Sequence, residues 1–235
     1  MENEEIEKLT PKIKNSESWR EAESEYQFLF EDEMLPPFLR FGAKPLTNKK
    51  FVGKLKSLVK NYPFYYPAYL DMGCRLLKIN IKQATEVLDL GFEICIRVSS
   101  WDIIDLDYDI VFENMEKISH PEFVVRYALK LIEKFPDKAV HYDSAAYAFA
   151  ALGDMNQALA FGKKAVELSP KNSYLLNNLG MCFLELHEYD EAENCFNLSI
   201  KADKNHENPV NNLADCNKMR ALGLSYKEYC LLAGR

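Results

Sequence analysis

The sequence predicts an all-α fold, a stack of antiparallel helix hairpins, on three observations. Glycine and proline are sparse, 9 and 10 of 235 residues, about 8% where ~12% is usual, so long helices are favoured over many short strands. Apolar residues recur at spacings of three and four, the period of an amphipathic helix. Two consecutive stretches of equal length, 139–172 and 173–206, carry the same apolar skeleton in the same order. A single helix hairpin cannot bury its apolar face, so such units must stack. At 48% hydrophobic residues the chain has the material for a sizeable core, which excludes a wholly disordered protein.

Three segments follow. Residues 1–46 read as an acidic amphipathic helix and a linker. Trp19, Tyr26, Phe30 and Met34, with Ala22 and Leu29 between them, form one apolar stripe. Ser18 and Glu21 fit a capping box at its start, and Pro36-Pro37 ends it. Residues 47–138 read as irregular helical repeats. They open on a helix that Thr47 caps, with Phe51, Leu55, Leu58 and Val59 inward, lysines outward and Pro63 past its end. Tyr69, Met72-Gly73, Leu76, Ala84 and Leu88 fit one further unit, with Ala84 one residue out of register; extra residues lengthen the chain around Ser99–Tyr108. Phe123–Phe135, between Pro121 and Pro136, reads as a second helix.

Residues 139–235 read as regular repeats with a C-terminal helix. Tyr142 corresponds to Leu176, Ala146 to Gly180, Phe149 to Phe183, Ala158 to Ala192 and Val166 to Ile200. Gly153-Asp154 and His187-Glu188 break each unit in the middle, and Asp154 with Gln157 caps the second helix. Small residues at 146/180 and 158/192 let the helices approach, while large ones at 149/183 fill the space above and below. Residues 207–222 repeat the first helix, and Ser225 with Glu228 opens a short last one, Ser225–Leu232.

The net charge of −7 is a difference between unlike segments. Residues 1–34 hold 11 acids and 4 bases, residues 35–70 hold 7 bases and no acid, and the rest is acidic again. Head and basic collar are therefore expected to be complementary neighbours. An acidic body argues against nucleic acid as a partner. The longest uncharged run, Asn172–Leu184, is thirteen residues, short of the ~20 a membrane span needs. The acidic amino terminus is unlike a secretory signal, so the expected location is cytoplasmic. Six cysteines without C-x-x-C spacing read as small buried hydrophobes.

The order of residues in these two stretches resembles the tetratricopeptide repeat. In 139–172 the matching residues are Tyr142, Ala145-Ala146, Phe149, Gly153-Asp154, Ala158, Ala165 and Pro170; in 173–206 they are Leu176, Leu179-Gly180, Phe183, Tyr189, Ala192, Phe196 and Ser199. Gly162 departs from the pattern where the family has an aromatic, and Lys204 where it has proline. The resemblance implies a right-handed superhelix, an α-solenoid, whose first helices line a concave groove. It implies that Val140, Asp143, Ser144 and Tyr147, then Tyr174, Asn177, Asn178 and Met181, then Asn208, Asn211, Asn212 and Asp215 point into that groove.

Nothing in the chain reads as chemistry. H-E-x-x-H, G-x-S-x-G, G-x-G-x-x-G and P-loop motifs are all missing. The four histidines fall at loops or helix starts, and Asp102, Asp105, Asp107 and Asp109 lack the glycine and closing glutamate of a calcium loop. No catalytic residue, metal or cofactor is expected.

The expected function is that of a protein-interaction scaffold or adaptor that binds a partner segment in the groove. The candidate contact residues are Asn177, Asn178, Asn211, Asn212, Asp143, Tyr147, Tyr174, Met181 and Asp215. An asparagine amide carries donor and acceptor side by side, and so can pair with an extended peptide backbone whatever its sequence. The plainer account is that asparagine is simply common at these positions in the family. The cations that family members use to clamp acidic chaperone tails are replaced here by Asp143, Asn208 and Asn212, so the expected partner is a protein or extended peptide that is not acidic. Two alternatives stay open. One is a self-assembling subunit or homodimer formed through the apolar last helix; the other is a secretion-type chaperone.

Overall fold

The computed structural model describes residues 11–34, 48–98 and 120–233. Among them are eleven α-helices and no strand, so the all-α class holds. The chain divides into two compact units, Met1–Ser119 and His120–Arg235. The cap expected at Thr47, the stop at Pro36-Pro37, the extra residues around Ser99–Tyr108 and the acidic cluster at 102–109 lie outside the described residues.

The first unit contains a 3-10 turn, Pro11–Asn15, followed by α1 (Glu17–Met34), α2 (Asn48–Asn61), α3 (Tyr66–Leu77) and α4 (Ile81–Val98). Helix α1 begins before the expected Ser18 box. Ser16 Oγ accepts from the Trp19 amide at 3.1 Å and donates to the Ile13 carbonyl at 2.6 Å. The 3-10 turn hands the chain over one residue before α1, which makes Ser16 the cap and leaves Ser18 inside the first turn. The described part of the apolar stripe, Trp19 to Leu29, docks on its own unit. Trp19 is buried, with ring centroids 4.9 Å from Tyr65, 5.7 Å from Tyr66 and 6.1 Å from Phe64. Lys14 donates to the Tyr66 hydroxyl at 2.8 Å and lies over the Trp19 ring, and the Tyr62 hydroxyl donates to Glu25 at 2.8 Å. In α2, Phe51, Leu55 and Leu58 are buried while Lys49, Lys50, Lys56 and Lys60 face solvent.

Helices α3 and α4 form a pair that explains the register slip at Ala84. A Cβ on Gly73 would run into Leu88, 15 positions on; in the second unit Gly180 meets Phe196, 16 positions on. Helix α3 has 12 residues where its counterpart below has 13, so everything after it arrives one residue early.

The second unit runs α5 (Pro121–Lys134), α6 (Ala139–Ala151), α7 (Met155–Leu168), α8 (Ser173–Glu185), α9 (Tyr189–Ala202), α10 (Asn208–Leu222) and α11 (Tyr226–Ala233). The step from the start of α6 to the start of α8, 139 to 173, equals the step from α7 to α9, 155 to 189. Each helix packs on the next through α10, and the first helices α6, α8 and α10 also touch one another in sequence. The mid-unit breaks lie where the sequence puts them. Gly153 has φ +82° and His187, its counterpart, has φ +61°. Left-handed backbone is free for glycine and costs a residue with a Cβ roughly 1–2 kcal/mol. The Asp154 carboxylate accepts from the Gln157 amide at 3.2 Å. Ser225 and Glu228 form the reciprocal box that opens α11, at 2.8 and 3.2 Å. Tyr142 donates to the carbonyl of Pro136 at 3.0 Å, and Tyr69 in the first unit donates to that of Pro63 at 3.1 Å. The same aromatic position thus ties the same preceding turn in both units.

The core of the second unit gathers Leu184, Phe196, Cys216, Met219 and Tyr229. The same unit holds a buried polar node: Ser173 Oγ lies 2.9 Å from Ser199 Oγ and 2.6 Å from His206 Nδ1. His141 is buried in the first turn of α6, and burial pushes its imidazole down to about 4, with Lys138 adding to the fall, so it is neutral at pH 7. Among the described residues no helix is long and apolar enough to cross a membrane, and no group of His, Cys, Asp and Glu is placed to hold a metal ion.

Candidate binding face

The first helices of successive pairs present one shared face, because a constant repeat length returns the same helical positions to the same side. On that face a chain of hydrogen-bonded side chains, three amides and one carboxylate, crosses all three helices. Asn212 Nδ2 on α10 donates to Asn177 Oδ1 on α8 at 2.8 Å. Asn177 Nδ2 donates to Asn178 Oδ1 at 3.4 Å. Asn178 Nδ2 donates to both carboxylate oxygens of Asp143 on α6, at 3.0 and 3.2 Å. In the sequence Asn178 and Asn212 read as separate contact candidates. In the structure they belong to one run, joined by Asn177, which is buried. Each amide offers two N–H groups and two lone pairs, so the internal bonds leave capacity outward.

Asp143, Tyr147, Asn178 and Met181 meet at one cavity of about 250 Å³ between α6, α7 and α8. Its deeper wall is Ala146, Ala150 and Cys182, with Met155 and Gly162 from α7 and Glu185 closing the far end of α8. Tyr147, Asn178 and Glu185 are exposed, so the cavity opens to solvent. Its field is negative. Burial pushes the Cys182 thiol up to about 11, and Asp143 and Glu185 push it further in the same direction. Burial also raises the Glu185 carboxyl, against a smaller lowering by His187. Cys182 is therefore a protonated wall residue, not a nucleophile.

The remaining candidates lie elsewhere. Tyr174 exposes 62% of its surface and leans on the buried His206, ring centroids 4.2 Å apart. Asn211 is exposed on α10. Asp215 is buried, where its carboxylate accepts from the Tyr229 hydroxyl of α11 at 2.8 Å and lies 3.6 Å from Lys218. Two features go beyond what the sequence pattern marks: the Ser173–Ser199–His206 node, and the part that Glu185 and Met155 take in the cavity. For the node, the available signal was the place of Ser173 and His206 at the starts of consecutive units.

The family model described as tetratricopeptide repeat matches residues 149–214. With the helix pairs recurring at constant spacing, the match marks residues 149–214 as tetratricopeptide repeat. Among curated proteins it is similar to Protein SGT1 homolog of Bos taurus, 36% identical over 72 residues, 31% of this chain and 21% of that protein. The human Protein SGT1 homolog matches at the same 36% over 72 residues, 19% of its length. The chain thus spans about a fifth of the length of the curated relatives it matches. Among solved structures, MamA 41-end from Desulfovibrio magneticus RS-1 shares the fold with a TM-score of 0.50 and 14% identity, over 82% of this chain and 98% of that one.

Proposed function

We propose that this chain is an adaptor that holds an extended segment of a partner protein along the groove formed by α6, α8 and α10. The observation that carries the proposal is the unbroken run Asn212–Asn177–Asn178–Asp143. It gives a peptide backbone donors and acceptors on successive helices, beside the exposed rings of Tyr147 and Tyr174. Asp143 and Glu185 make an acidic segment a poor fit, so the partner is neutral or basic. No cofactor, nucleic acid or membrane enters this reading. Five buried cysteines and a half-buried sixth, all free thiols, support a reducing, cytoplasmic setting. A chaperone that shelters an extended client would use the same groove and the same chemistry.

The test is a pull-down with the full chain and its Asn178→Ala/Asn212→Ala variant. Recovery of the partner is expected to fall roughly tenfold, the loss of one to two peptide hydrogen bonds, with a modest fall in melting temperature because the buried Asn177 loses its Asn212 donor. Unchanged recovery would sink the amide run as the binding element.

A second reading has its own support. Helix α11 leaves Leu231 and Leu232 exposed at 73% and 70%. Two adjacent exposed leucines on one short helix suit an apolar contact with a second copy of the chain. Light scattering on Leu231→Glu/Leu232→Glu is expected to show the mass falling from dimer to monomer; a wild type that is already monomeric at high concentration removes this reading.

A further inference from the structure

The two regular repeats close their cores differently. In the later one, Leu184, Tyr189, Phe196, Cys216 and Met219 meet in one packed cluster. One repeat earlier the same positions hold Ala150, Met155, Gly162, Cys182 and Glu185. Those five residues line the 250 Å³ cavity. Leucine has become alanine, phenylalanine glycine and methionine glutamate, and the space the Phe196 ring fills in one repeat stands open in the other. Gly162 is not forced by its backbone or by crowding. It sits inside helix α7, and a Cβ on it would meet only Leu179 at 3.4 Å and Ala146 at 3.9 Å, ordinary contacts. A glycine inside a helix and an unfilled core each lower stability. Stability is given up in this way where function needs it, and an apolar cavity with a few polar groups at its mouth is the usual form of a binding site.

We propose that this cavity is an anchor site that takes one apolar side chain of leucine, methionine or phenylalanine size from a partner segment in which a lysine or arginine stands beside it. The proposal rests on the groove reading above and adds what the bound segment must contain. The apolar requirement comes from Ala146, Ala150, Met155 and Cys182 in the wall. The neighbouring cation comes from Asp143 and Glu185, two carboxylates in a lining to which no described lysine or arginine contributes. Asn178, at the same mouth, stands where the backbone of such a segment passes.

The experiment is a selection of random peptides displayed on phage against the immobilised full chain. Its comparison arms are Gly162→Phe, Ala150→Leu, Glu185→Gln and Asn178→Ala/Asn212→Ala. Wild type is expected to enrich peptides with a bulky apolar residue beside Lys or Arg. A synthetic peptide from that pool is expected to lose roughly ten- to a hundredfold in affinity to Gly162→Phe, the value of burying one such side chain. Gly162→Phe, which copies the later repeat, should melt a few degrees higher; if it does not fold, Ala150→Leu narrows the same space. Glu185→Gln should keep the apolar residue in the selected pool and weaken the cation. Undiminished binding to both filled variants overturns the anchor site and leaves the groove reading standing. Failure of wild type to enrich any peptide ends both. Enrichment of acidic peptides, or a wild-type dimer that Gly162→Phe dissolves, also overturns the assignment, the second by putting another copy of the chain in the cavity.

Discussion

Phe196→Ala is expected to destabilise the second unit by about 3–5 kcal/mol, the usual cost of removing a buried aromatic ring, with a fall in Tm on the order of 10 °C or more. The ring is fully buried. Its place depends on a backbone with no side chain opposite: a Cβ on Gly180 would lie 2.6 Å from Phe196 Cε1. Leu184, Cys216 and Met219 close around it, so truncation opens a hole bordered by three helices that cannot all move inward. Thermal unfolding followed by circular dichroism measures the effect. The same measurement bears on the cavity one repeat earlier. If the second repeat loses its ring for less than ~1 kcal/mol, well under the usual cost, an unfilled position there is cheap, and the opening at Gly162 needs no occupant to explain it. A large loss means the chain tolerates at Gly162 what it cannot tolerate one repeat later.

That comparison also shows which parts of the molecule the sequence could reveal. The repeat period is a property of one-dimensional spacing, so helix starts at 139, 155, 173 and 189 follow from the pattern of apolar sizes alone. Turn chemistry is local as well, and for that reason Gly153, His187 and the Asp154 cap are readable. The start of α1 is not, because it depends on a 3-10 turn that has no apolar period of its own, and Ser16 and Ser18 are equally good caps on paper. Gly162 is visible in the sequence as a departure from its family pattern. That it opens a cavity is not, since this needs Ala150 and Glu185 to be small or polar on two other helices at once. The amide run is half legible. The recurrence of Asn-Asn at 177–178 and 211–212 marks the positions. The bond from Asn212 to Asn177, and not to its counterpart Asn178, depends on how far α10 is turned against α8. Asp215 is the case where burial decides: its helical position says groove, and the Tyr229 hydroxyl on α11 holds its carboxylate inside.

Trp19→Ala is expected to cost the first unit about 3–5 kcal/mol and to detach α1 from α2 and α3. The alternation of an acidic head with a basic collar invites an electrostatic account of why α1 docks, and magnitudes decide against it. An exposed ion pair contributes at most ~1 kcal/mol and weakens with salt, whereas Trp19 is 7% exposed and lies against three aromatic rings. Aromatic pairs of that kind add about 0.5–1.5 kcal/mol each beyond the area they bury. Tryptophan fluorescence and circular dichroism during urea unfolding, with Trp101 as the remaining fluorophore in the variant, separate the two accounts. Apolar docking gives a large loss in Trp19→Ala and a wild-type transition that moves little between about 0.1 and 1 M sodium chloride, a range over which the Debye length shrinks from about 10 Å to about 3 Å. Charge-driven docking gives the reverse: a variant close to wild type, and a wild type that loosens in salt. In the first case the opposite charges of head and collar set the approach of α1 and the solubility of its outer face, and the aromatic cluster under Trp19 supplies the hold.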